Sequence, residues 1–468
     1  MKLCLVFPRT TVFDEPMGFP PLGLFWLKAV LKENGHEVHF IDMSEYKIGQ
    51  DGKKVELYPD VNSLPLGYDA YLVSGTSPQA GEIRKIGEYL KNKGCLAIAG
   101  GPHISNYAGV ETSEREHPNL DLVSPTDPKL VANFHILVKF EGEQAILGVL
   151  ERLEEGKRFM DAFGRGIVIS SPRIQDLGSI PIPNREDALK YHYYLNDEDG
   201  KARRGTSMFT SRGCPERCAF CDSPGLWGRK VRYTPIHRVI QELEQIKSLG
   251  FEAIQFYDDI LPLNRPRMIE ICRNLKKFGF VWRCFMRVDI MSHHLYGEGF
   301  IRMMKENGLA EVLVGVESGD QRILDGIHKG TTIEQNTQVL KWCKNIGVRF
   351  KASVILGLPG ETKESMQATR DWVIKNRPDK CAVAVFIPYS GTPIAKSTEL
   401  GRKKGYGIDA VHDYDFKPLL ESALMDEYFC AGSRKLKPLG STSSLSVGQI
   451  EDFYNQFVAE LDDLGITN

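Results

Sequence analysis

Two successive alternations of apolar runs with helical patterns constrain the fold of this chain more than any other feature. Continuous apolar runs are typical of strands that helices cover on both faces, so each alternation predicts a parallel α/β sheet. The first alternation predicts a Rossmann-like open parallel sheet in residues 1–170, with helices at about 21–34, 79–92 and 143–154. Its strand-like runs lie at 2–7, 37–42, 69–74, 95–99, 136–140 and 166–170.

The second alternation, in residues 205–393, contains six β/α units. A complete eight-unit barrel usually needs about 250 residues, so this length predicts a partial (β/α)6 TIM-like barrel, with its chemistry at the C-terminal ends of the strands. The strand-like runs lie at 206–211, 252–257, 281–287, 311–316, 349–356 and 380–387. The helical patterns lie at about 235–249, 265–278, 297–307, 331–346 and 362–376.

Two further segments lack this alternation. Residues 171–204 are rich in Pro and Ser, which predicts a linker ending in a polar surface hairpin. Residues 394–468 are predicted to form a small, mainly helical C-terminal subdomain. Its clearest helix follows Ser446 and Gln449, which are spaced as a capping box.

Composition narrows the class of protein. The net charge is −2, from 59 basic and 61 acidic side chains, so we expect no nucleic-acid partner. No apolar run reaches the roughly 18 residues that span a bilayer, and the N-terminus lacks a signal-peptide cleavage site. Seven of the ten cysteines are scattered singly, which argues against a disulfide framework. We therefore expect a cytoplasmic protein without a membrane span, and a monomer.

The other three cysteines, Cys214, Cys218 and Cys221, are grouped in the segment TSRGCPERCAFCDSP, directly after a predicted strand. Three thiolates can bind three irons of a four-iron, four-sulfur (4Fe-4S) cluster and leave the fourth iron open. Zinc is the main alternative, although a structural zinc site usually has four ligands in two close pairs. Three thiols without a metal fit poorly in a loop that also contains Gly213 and Pro215.

The spacing Cys-x3-Cys-x2-Cys, with Phe220 before the third cysteine, resembles the signature of the radical S-adenosylmethionine (SAM) superfamily. In that family the open iron chelates SAM, and one electron cleaves SAM to a 5′-deoxyadenosyl radical that abstracts hydrogen. The resemblance implies that the three cysteines are catalytic and hold the cluster. It also implies an external electron donor of the flavodoxin or ferredoxin type.

The resemblance extends to the ends of the following strands, as far as residue 393. The motifs are FYDDIL, MRVD, GVESGD and LGLPGET. FYDDIL stands where the family has a Gly-Gly-Glu region, whose glycines are replaced here. Taken alone, each motif is typical of a surface ion pair or a turn. Together they imply a SAM site formed by Phe220, Asp258, Asp259, Arg287, Glu317 and the main chain around Leu358. Tyr257, Cys284 and Tyr389 are weaker candidates for a substrate pocket.

The first 170 residues resemble the cobalamin-binding domain of the cobalamin-dependent radical SAM enzymes. The matching segments are FPPLG, SGTSP, GGPHIS and FEGE. The Asp-x-His-x-x-Gly signature is absent, so the resemblance implies base-off cobalamin with no His ligand from that motif; cobalt binding by His103 is a less favoured alternative. The implied cobalamin contacts are Pro21, Leu22, Gly23, Ser74, Gly75, Thr76, Ser77, Gly100, Gly101, Pro102, His103, Glu141, Gly142 and Glu143.

The activity implied by this resemblance is methylation of an unactivated carbon, or less often of phosphorus, in a small-molecule or lipid-type substrate. One SAM molecule supplies the methyl group through cobalamin, and a second supplies the radical. Two alternatives remain open at this point. One is a cobalamin-containing radical cyclase or rearrangement enzyme without methyl transfer, and the other is a non-catalytic iron–sulfur or cobalamin sensor.

Overall fold

A computed structural model describes most of the chain, and its described residues divide into two compact units. The first unit comprises residues 1–193 and the second comprises nearly all of the rest. The described residues are 1–9, 20–48, 54–58, 60–107, 128–156, 166–191, 193–196, 201–389, 392–394, 414–416, 436, 440–442 and 444–466.

The first unit contains a six-stranded parallel sheet, as predicted for a Rossmann-like fold. Its strands have the order β2-β1-β5-β6-β7-β8, and β3 with β4 forms a separate antiparallel hairpin. The strands are β1 Lys2–Phe7, β2 Glu37–Asp42, β3 Tyr46–Ile48, β4 Lys54–Glu56, β5 Ala70–Ser74, β6 Ala97–Gly100, β7 Ile136–Lys139 and β8 Ile167–Ser170. The helices are α1 Leu22–Glu33, α2 Ala80–Asn92, α3 Pro102–Tyr107, α4 Pro128–Asn133 and α5 Gly142–Glu154.

The second unit is built on a curled, seven-stranded half-barrel sheet. Its order is β17-β16-β15-β14-β13-β10-β9, and only the edge strand β9 is antiparallel to its neighbour. These strands are β9 Tyr194–Asn196, β10 Ala202–Met208, β13 Ala253–Phe256, β14 Val281–Met286, β15 Leu309–Glu317, β16 Arg349–Leu356 and β17 Lys380–Val385. Two small antiparallel pairs are β11 Ser211–Arg212 with β12 Arg232–Tyr233, and β18 Tyr414–Phe416 with β19 Gly440–Thr442.

Helices follow the strands of this sheet at the predicted places. They are α6 Ser223–Trp227, α7 Ile236–Ser248, α8 Arg265–Phe278, α9 Val288–Ser292, α10 Gly297–Glu306, α11 Gln321–Gly326, α12 Ile333–Ile346, α13 Lys363–Asn376 and α14 Val447–Asp463. The predicted α/β class and the six parallel β/α strands are therefore confirmed. The finer division into four segments, with boundaries at 170, 204 and 393, stays a prediction, because most of 394–440 lies outside the described residues.

The first strand of the half-barrel is displaced from its predicted position. The sequence predicts a strand at 206–211, but β10 ends at Met208. Beyond it, the N–H of Thr210 donates to the carboxylate of Asp258 instead of to a neighbouring strand, at 2.9 Å. At its other end, β10 pairs with the antiparallel strand β9, as expected for the two strands of the predicted hairpin, while residues 197–200 between them lie outside the described residues.

The C-terminal helix α14 packs on the half-barrel. Ile450, Tyr454, Phe457 and Leu461 form its buried face. The N–H of Cys381 in β17 donates to the carbonyl of Ile466, just beyond α14, at 2.7 Å. Among the described residues, no helix is long and apolar enough to cross a membrane.

The capping box of α14 provides a test of how this helix is held. The N–H of Gln449 donates to the Ser446 hydroxyl at 3.3 Å, and the N–H of Ser446 donates to Oε1 of Gln449 at 2.8 Å. We expect Ser446→Ala to destabilise the helix by about 1 kcal/mol. The amides of the helix should then exchange their hydrogens about five-fold faster. Ser444→Ala, at an exposed neighbour, is the control. Equal exchange in the two variants would contradict a capping role.

Candidate active site

The three predicted cluster cysteines line one cavity of about 430 Å³ at the C-terminal ends of the half-barrel strands. Their loop begins after β11 with Gly213, whose φ of 107° lies in the left-handed region. A Cβ atom at this glycine would lie 2.6 Å from the carbonyl oxygen of Lys230, so a side chain is excluded there. The tight backbone then lets the N–H of Cys214 donate to the carbonyl of Gly228 at 3.2 Å.

The surroundings of these thiols suit metal ligands. Cys214 and Cys218 are buried, and burial raises the pKa of Cys214 to about 11. A bound metal deprotonates such a thiol, since the thiolate is the form that binds. Among the described residues, no three His, Cys, Asp or Glu side chains are grouped to hold a single metal ion. A 4Fe-4S cluster does not need that grouping, because each thiolate binds a different iron. The three thiols therefore fit the cluster.

Arg287 reaches the same cavity from the end of β14 and is fixed in place. Its Nε and Nη2 atoms donate to both carboxylate oxygens of Asp289, at 3.1 and 3.0 Å. Nη2 also donates to the carbonyl of Lys329 at 2.7 Å, and Nη1 lies 3.4 Å from Sγ of Cys218. The guanidinium is therefore held beside a cluster cysteine, and its orientation does not depend on a ligand.

Glu317 lines the cavity at the end of β15 and is held by an ion pair. Its Oε1 lies 2.6 Å from Nζ of Lys329, and both side chains are buried. Glu317 has a φ of 63°, and the pairing of β15 with β16 shifts register between Gly315 and Glu317. A Cβ atom at Gly315 would lie 2.0 Å from Oε1 of Glu317 and 2.7 Å from Nζ of Lys329. The ion pair therefore occupies the space that the glycine leaves empty.

The two predicted aspartates occupy different positions. Asp259 lines the cavity, and burial raises its pKa to about 6 although the Ser223 hydroxyl donates to its carboxylate. Asp258 is fully buried and is not among the residues that line the cavity. Its carboxylate accepts hydrogen bonds from the N–H and hydroxyl of Thr210, at 2.9 and 2.7 Å, and from the Ser211 hydroxyl at 2.6 Å. Asp258 thus fixes the segment that leads into the cysteine loop.

The two predicted apolar contacts share one cluster. Phe220 lines the cavity and packs against a buried group that includes Leu358 and Ala219. Leu358 itself is fully buried, and it does not line the cavity. Its loop is shaped by the buried carboxylate of Glu361, whose Oε2 accepts from the N–H groups of Gly357 and Leu358 at 2.6 and 3.1 Å.

The cavity also includes residues that sequence reasoning missed, and it omits the weaker candidates. Tyr257, Cys284 and Tyr389 do not line it. For Lys351 a signal existed, because it is a charged residue inside the apolar strand RFKASVIL. Lys329 lies in a loop, where the sequence has no apolar periodicity against which a charged residue would stand out. The missed polar residues are Glu216, Ser223, Lys329, Lys351 and Ser353.

In the first unit, the structure brings two of the four predicted cobalamin segments into contact at the ends of β5 and β6. A Cβ atom at Gly101, which has a φ of 91°, would lie 2.5 Å from Oγ of Ser74. The N–H of His103 donates to the carbonyl of Gly75 at 3.2 Å. Nearby, the N–H of Thr76 donates to Oε1 of Gln79 at 2.9 Å, which fixes the loop that contains Ser77. Gly100 and Pro102 are the chain neighbours of Gly101, which approaches Ser74 closely.

The third segment joins this edge through α3. The N–H of Phe140 donates to the Ser105 hydroxyl at 2.8 Å. Glu141 and Glu143 are both buried, and Oε2 of Glu141 accepts from the N–H of Ile174 at 2.9 Å. The fourth segment comprises the start of α1. There Pro21 precedes the helix, Leu22 is buried, and nothing lies within 4 Å of the Cβ position of Gly23. Gly142 begins α5 and would place a Cβ atom 3.8 Å from Leu27 in α1.

Among the described residues of this edge, His103 has a buried ring nitrogen without a hydrogen-bond partner. It is 1% exposed, and its Nδ1 lies 3.4 Å from Oγ of Ser77, while Nε2 has no hydrogen-bond partner. Burial, with a smaller contribution from Arg84, lowers the pKa of His103 to about 3. The ring is therefore neutral, and a glycine-rich cradle with one open imidazole nitrogen fits a large polar cofactor.

Comparisons with known proteins agree with this arrangement. The family model for the radical SAM superfamily matches residues 208–373. An uncharacterised methyltransferase of Pyrococcus horikoshii is 32% identical over 413 residues, which cover 84% of this chain and 82% of the relative. The chain belongs to the radical SAM superfamily. It is therefore an enzyme, and the sensor alternative is set aside.

The fold of this radical SAM enzyme also has a match among solved structures. It is similar to the radical SAM methyltransferase TsrM from Kitasatospora setae, solved with cobalamin and a [4Fe-4S] cluster bound. The TM-score is 0.66 at 18% identity, and the match covers 99% of this chain and 88% of that chain. An anaerobic magnesium-protoporphyrin IX monomethyl ester cyclase of Rubrivivax gelatinosus is 27% identical over 441 residues, which cover 87% of this chain and 71% of the cyclase.

The buried carboxyl of Glu361 generates a prediction for this radical SAM enzyme. Burial raises the pKa of Glu361 to about 8 from its model-compound value of 4.5, although the two backbone N–H groups oppose the shift. Below about pH 4.5 both folded and unfolded states hold the proton. As the pH rises toward 8, the unfolded chain loses the proton more readily, so stability falls.

We expect the thermal midpoint of the wild type to fall relative to that of Glu361→Gln between pH 5 and 8. The free energy of unfolding of the wild type can fall by up to about 1.4 kcal/mol per pH unit over this range. Gln is the reference because it keeps the acceptor oxygen but does not titrate. Glu270→Gln, at an exposed position on α8, is the control and should follow the wild type. Parallel profiles for the wild type and Glu361→Gln would disprove this prediction.

Proposed function

We propose that this enzyme methylates an unactivated carbon, or less often phosphorus, in a small-molecule or lipid-type substrate. The observation that carries the proposal is the convergence of Cys214, Cys218 and Cys221 on the cavity that Arg287 and Glu317 also line. A 4Fe-4S cluster held by those thiols would supply the electron for cleavage of SAM to a hydrogen-abstracting radical.

The charged residues of the cavity are suited to hold SAM at that cluster. SAM has a carboxylate, an ammonium group and a ribose, and each needs a partner of opposite charge or a hydrogen-bond acceptor. Arg287 is oriented for the carboxylate, while Asp259 and Glu317 offer carboxylate oxygens to the ammonium and the ribose hydroxyls. Because Asp258 is buried behind the loop, its part in our proposal is to position the cysteine segment.

Apolar side chains give the cavity its second property. Phe220, Ile260, Phe285 and Met286 line it beside the cysteines. Such a lining keeps water and polar hydrogen donors away from the place where a reactive radical forms. Leu358 belongs to the buried cluster against which Phe220 packs. We therefore propose that the adenine lies in this apolar part of the cavity.

We propose that the first unit binds cobalamin, which carries the methyl group when bound. Support comes from the close-packed glycine edge formed by Ser74–Ser77 and Gly100–His103, with Glu141–Glu143 beside it, and from the start of α1 at Pro21–Gly23. The sequence lacks the Asp-x-His-x-x-Gly motif, so the proposed state is base-off without a His ligand from that motif. The neutral His103 then offers a hydrogen bond to the cofactor.

The setting of the enzyme is also a proposal. We propose a cytoplasmic monomer that receives electrons from a flavodoxin- or ferredoxin-type protein. All nine cysteines among the described residues are free, which suits a reducing compartment.

A second candidate function is a cobalamin-containing radical cyclase or rearrangement enzyme. The observation that favours it is the similarity to the Rubrivivax gelatinosus cyclase over most of this chain. The reaction products separate the two functions, since methyl transfer converts SAM to both S-adenosylhomocysteine and 5′-deoxyadenosine. A reaction without methyl transfer yields 5′-deoxyadenosine alone.

The cluster is tested by substitution of its ligands. We expect Cys214→Ala, Cys218→Ala and Cys221→Ala each to lose iron and to form 5′-deoxyadenosine at least 100-fold more slowly, because an incomplete ligand set cannot hold the cluster. The assay uses anaerobic, reconstituted protein with SAM and a reductant. Cys272→Ala removes a buried thiol of α8 and is the matched control. Iron content and nucleoside formation that survive in all three variants would remove the basis of the proposal.

The type of reaction is tested by identifying which nucleoside products SAM yields. With cobalamin and reductant present, we expect S-adenosylhomocysteine to accumulate in addition to 5′-deoxyadenosine. Mass spectrometry measures both products, and protein without cobalamin is the control. Formation of 5′-deoxyadenosine with no S-adenosylhomocysteine in either sample would favour the cyclase.

A further inference from the structure

Charged side chains lie inside the half-barrel, below the part of the cavity that the cysteines line. Glu311 of β15 is 1% exposed, and two arginines share its carboxylate. Nη1 of Arg283 lies 3.2 Å from Oε1 of Glu311, and Nε of Arg349 lies 3.3 Å from Oε2. Both oxygens of this buried carboxylate are therefore already engaged by cations.

Lys351 of β16 is a third cation of this layer, and it lines the cavity. Among the described residues, it makes no hydrogen bond or ion pair. On one side the sheet register places Leu313 beside it, and on the other side Lys380. Neither neighbour offers a negative charge.

The electrostatic surroundings of Lys351 agree with this geometry. Burial lowers the pKa of Lys351 to about 8, and Arg283 adds to the lowering, while Glu311 opposes it. A partly buried ammonium group with no carboxylate partner is costly to the folded protein. A ligand that brings a negative charge into the cavity would remove that cost.

We propose that Lys351 binds an anionic group of the substrate, a carboxylate or a phosphate, at the inner end of the cavity. This inference rests on the proposed function, since it names the substrate class of that site. Lys351 lies five residues before the end of β16, which is roughly 16 Å along the strand. Arg287, at a strand end beside Cys218, is the cation nearer the cluster, so SAM and the substrate use separate cations.

This placement defines how a substrate would lie in the cavity. Its anionic group contacts Lys351, and the hydroxyl of Ser353, two residues farther along the same face of β16, is available to a polar group next to it. The rest of the molecule extends past the apolar residues toward the cysteines. The carbon that reacts is therefore remote from the anionic group.

The first experiment measures ligand protection of Lys351 in the anaerobically reconstituted holoenzyme. Lysines are acetylated briefly with acetic anhydride, and the extent at Lys351 and Lys380 is read by peptide mass spectrometry. The probes are succinate, methyl phosphate and the neutral succinamide. We expect one of the two anions to slow acetylation of Lys351 at least three-fold, while Lys380 and the succinamide samples stay unchanged. Protection by succinate assigns a carboxylate, and protection by methyl phosphate assigns a phosphate.

The second experiment measures affinity for the protecting anion by calorimetry. We expect Lys351→Met to weaken binding about ten-fold or more, since it keeps the length of the side chain but loses the charge. Lys380→Met removes a neighbouring charge that does not line the cavity, and it should change affinity less than two-fold. No protection of Lys351 by either anion, or equal protection by succinamide, would overturn the inference.

The two proposals fail separately. Both measurements report binding, so they need neither SAM cleavage nor methyl transfer. Anion protection of Lys351 in a protein that forms no 5′-deoxyadenosine would overturn only the proposed function. Nucleoside formation in a protein whose Lys351 reacts equally with and without both anions would overturn only the anionic substrate.

Discussion

The site depends on one buried carboxylate that joins two parts of the half-barrel. Asp258, just after β13, accepts three hydrogen bonds from Thr210 and Ser211, just after β10. Those bonds end the first strand early and direct the chain into the turn at Gly213. Three thiols that are close in sequence thereby reach one cavity, and Arg287 and Glu317 arrive there from the neighbouring strands. The loop alone would not determine that convergence.

The cavity combines strong order with local differences in charge. Arg287 and Glu317 both have protein partners that hold them before any ligand binds, which reduces the entropy that binding must overcome. Lys351 has no such partner among the described residues. Ordered side chains therefore lie beside the cysteines, and the unpaired charge lies deeper in the half-barrel. This division matches a constant cofactor at one end and a variable substrate at the other.

Much of this could be predicted from the sequence, because it depends on local patterns. Apolar periodicity predicted both sheets and nearly all of the long helices, and cysteine spacing predicted the family. The pattern could not distinguish Asp258 from Asp259, since alternation along the chain stops at the strand end and only the tertiary fold shows which carboxylate faces the cavity. Lys329 was missed for a similar reason, because its partner Glu317 is twelve residues away along the chain, with the helix α11 between them.

The glycine at 315 links the backbone to the ion pair beside it. Any side chain there would overlap both Glu317 and Lys329, so the three positions form one steric unit. A lineage that acquired alanine at this position would have to relocate the carboxylate, the ammonium group, or both. Across a set of relatives, the three residues should consequently be inherited or replaced together, which makes the small one a better marker of an intact pocket than either of the charged ones.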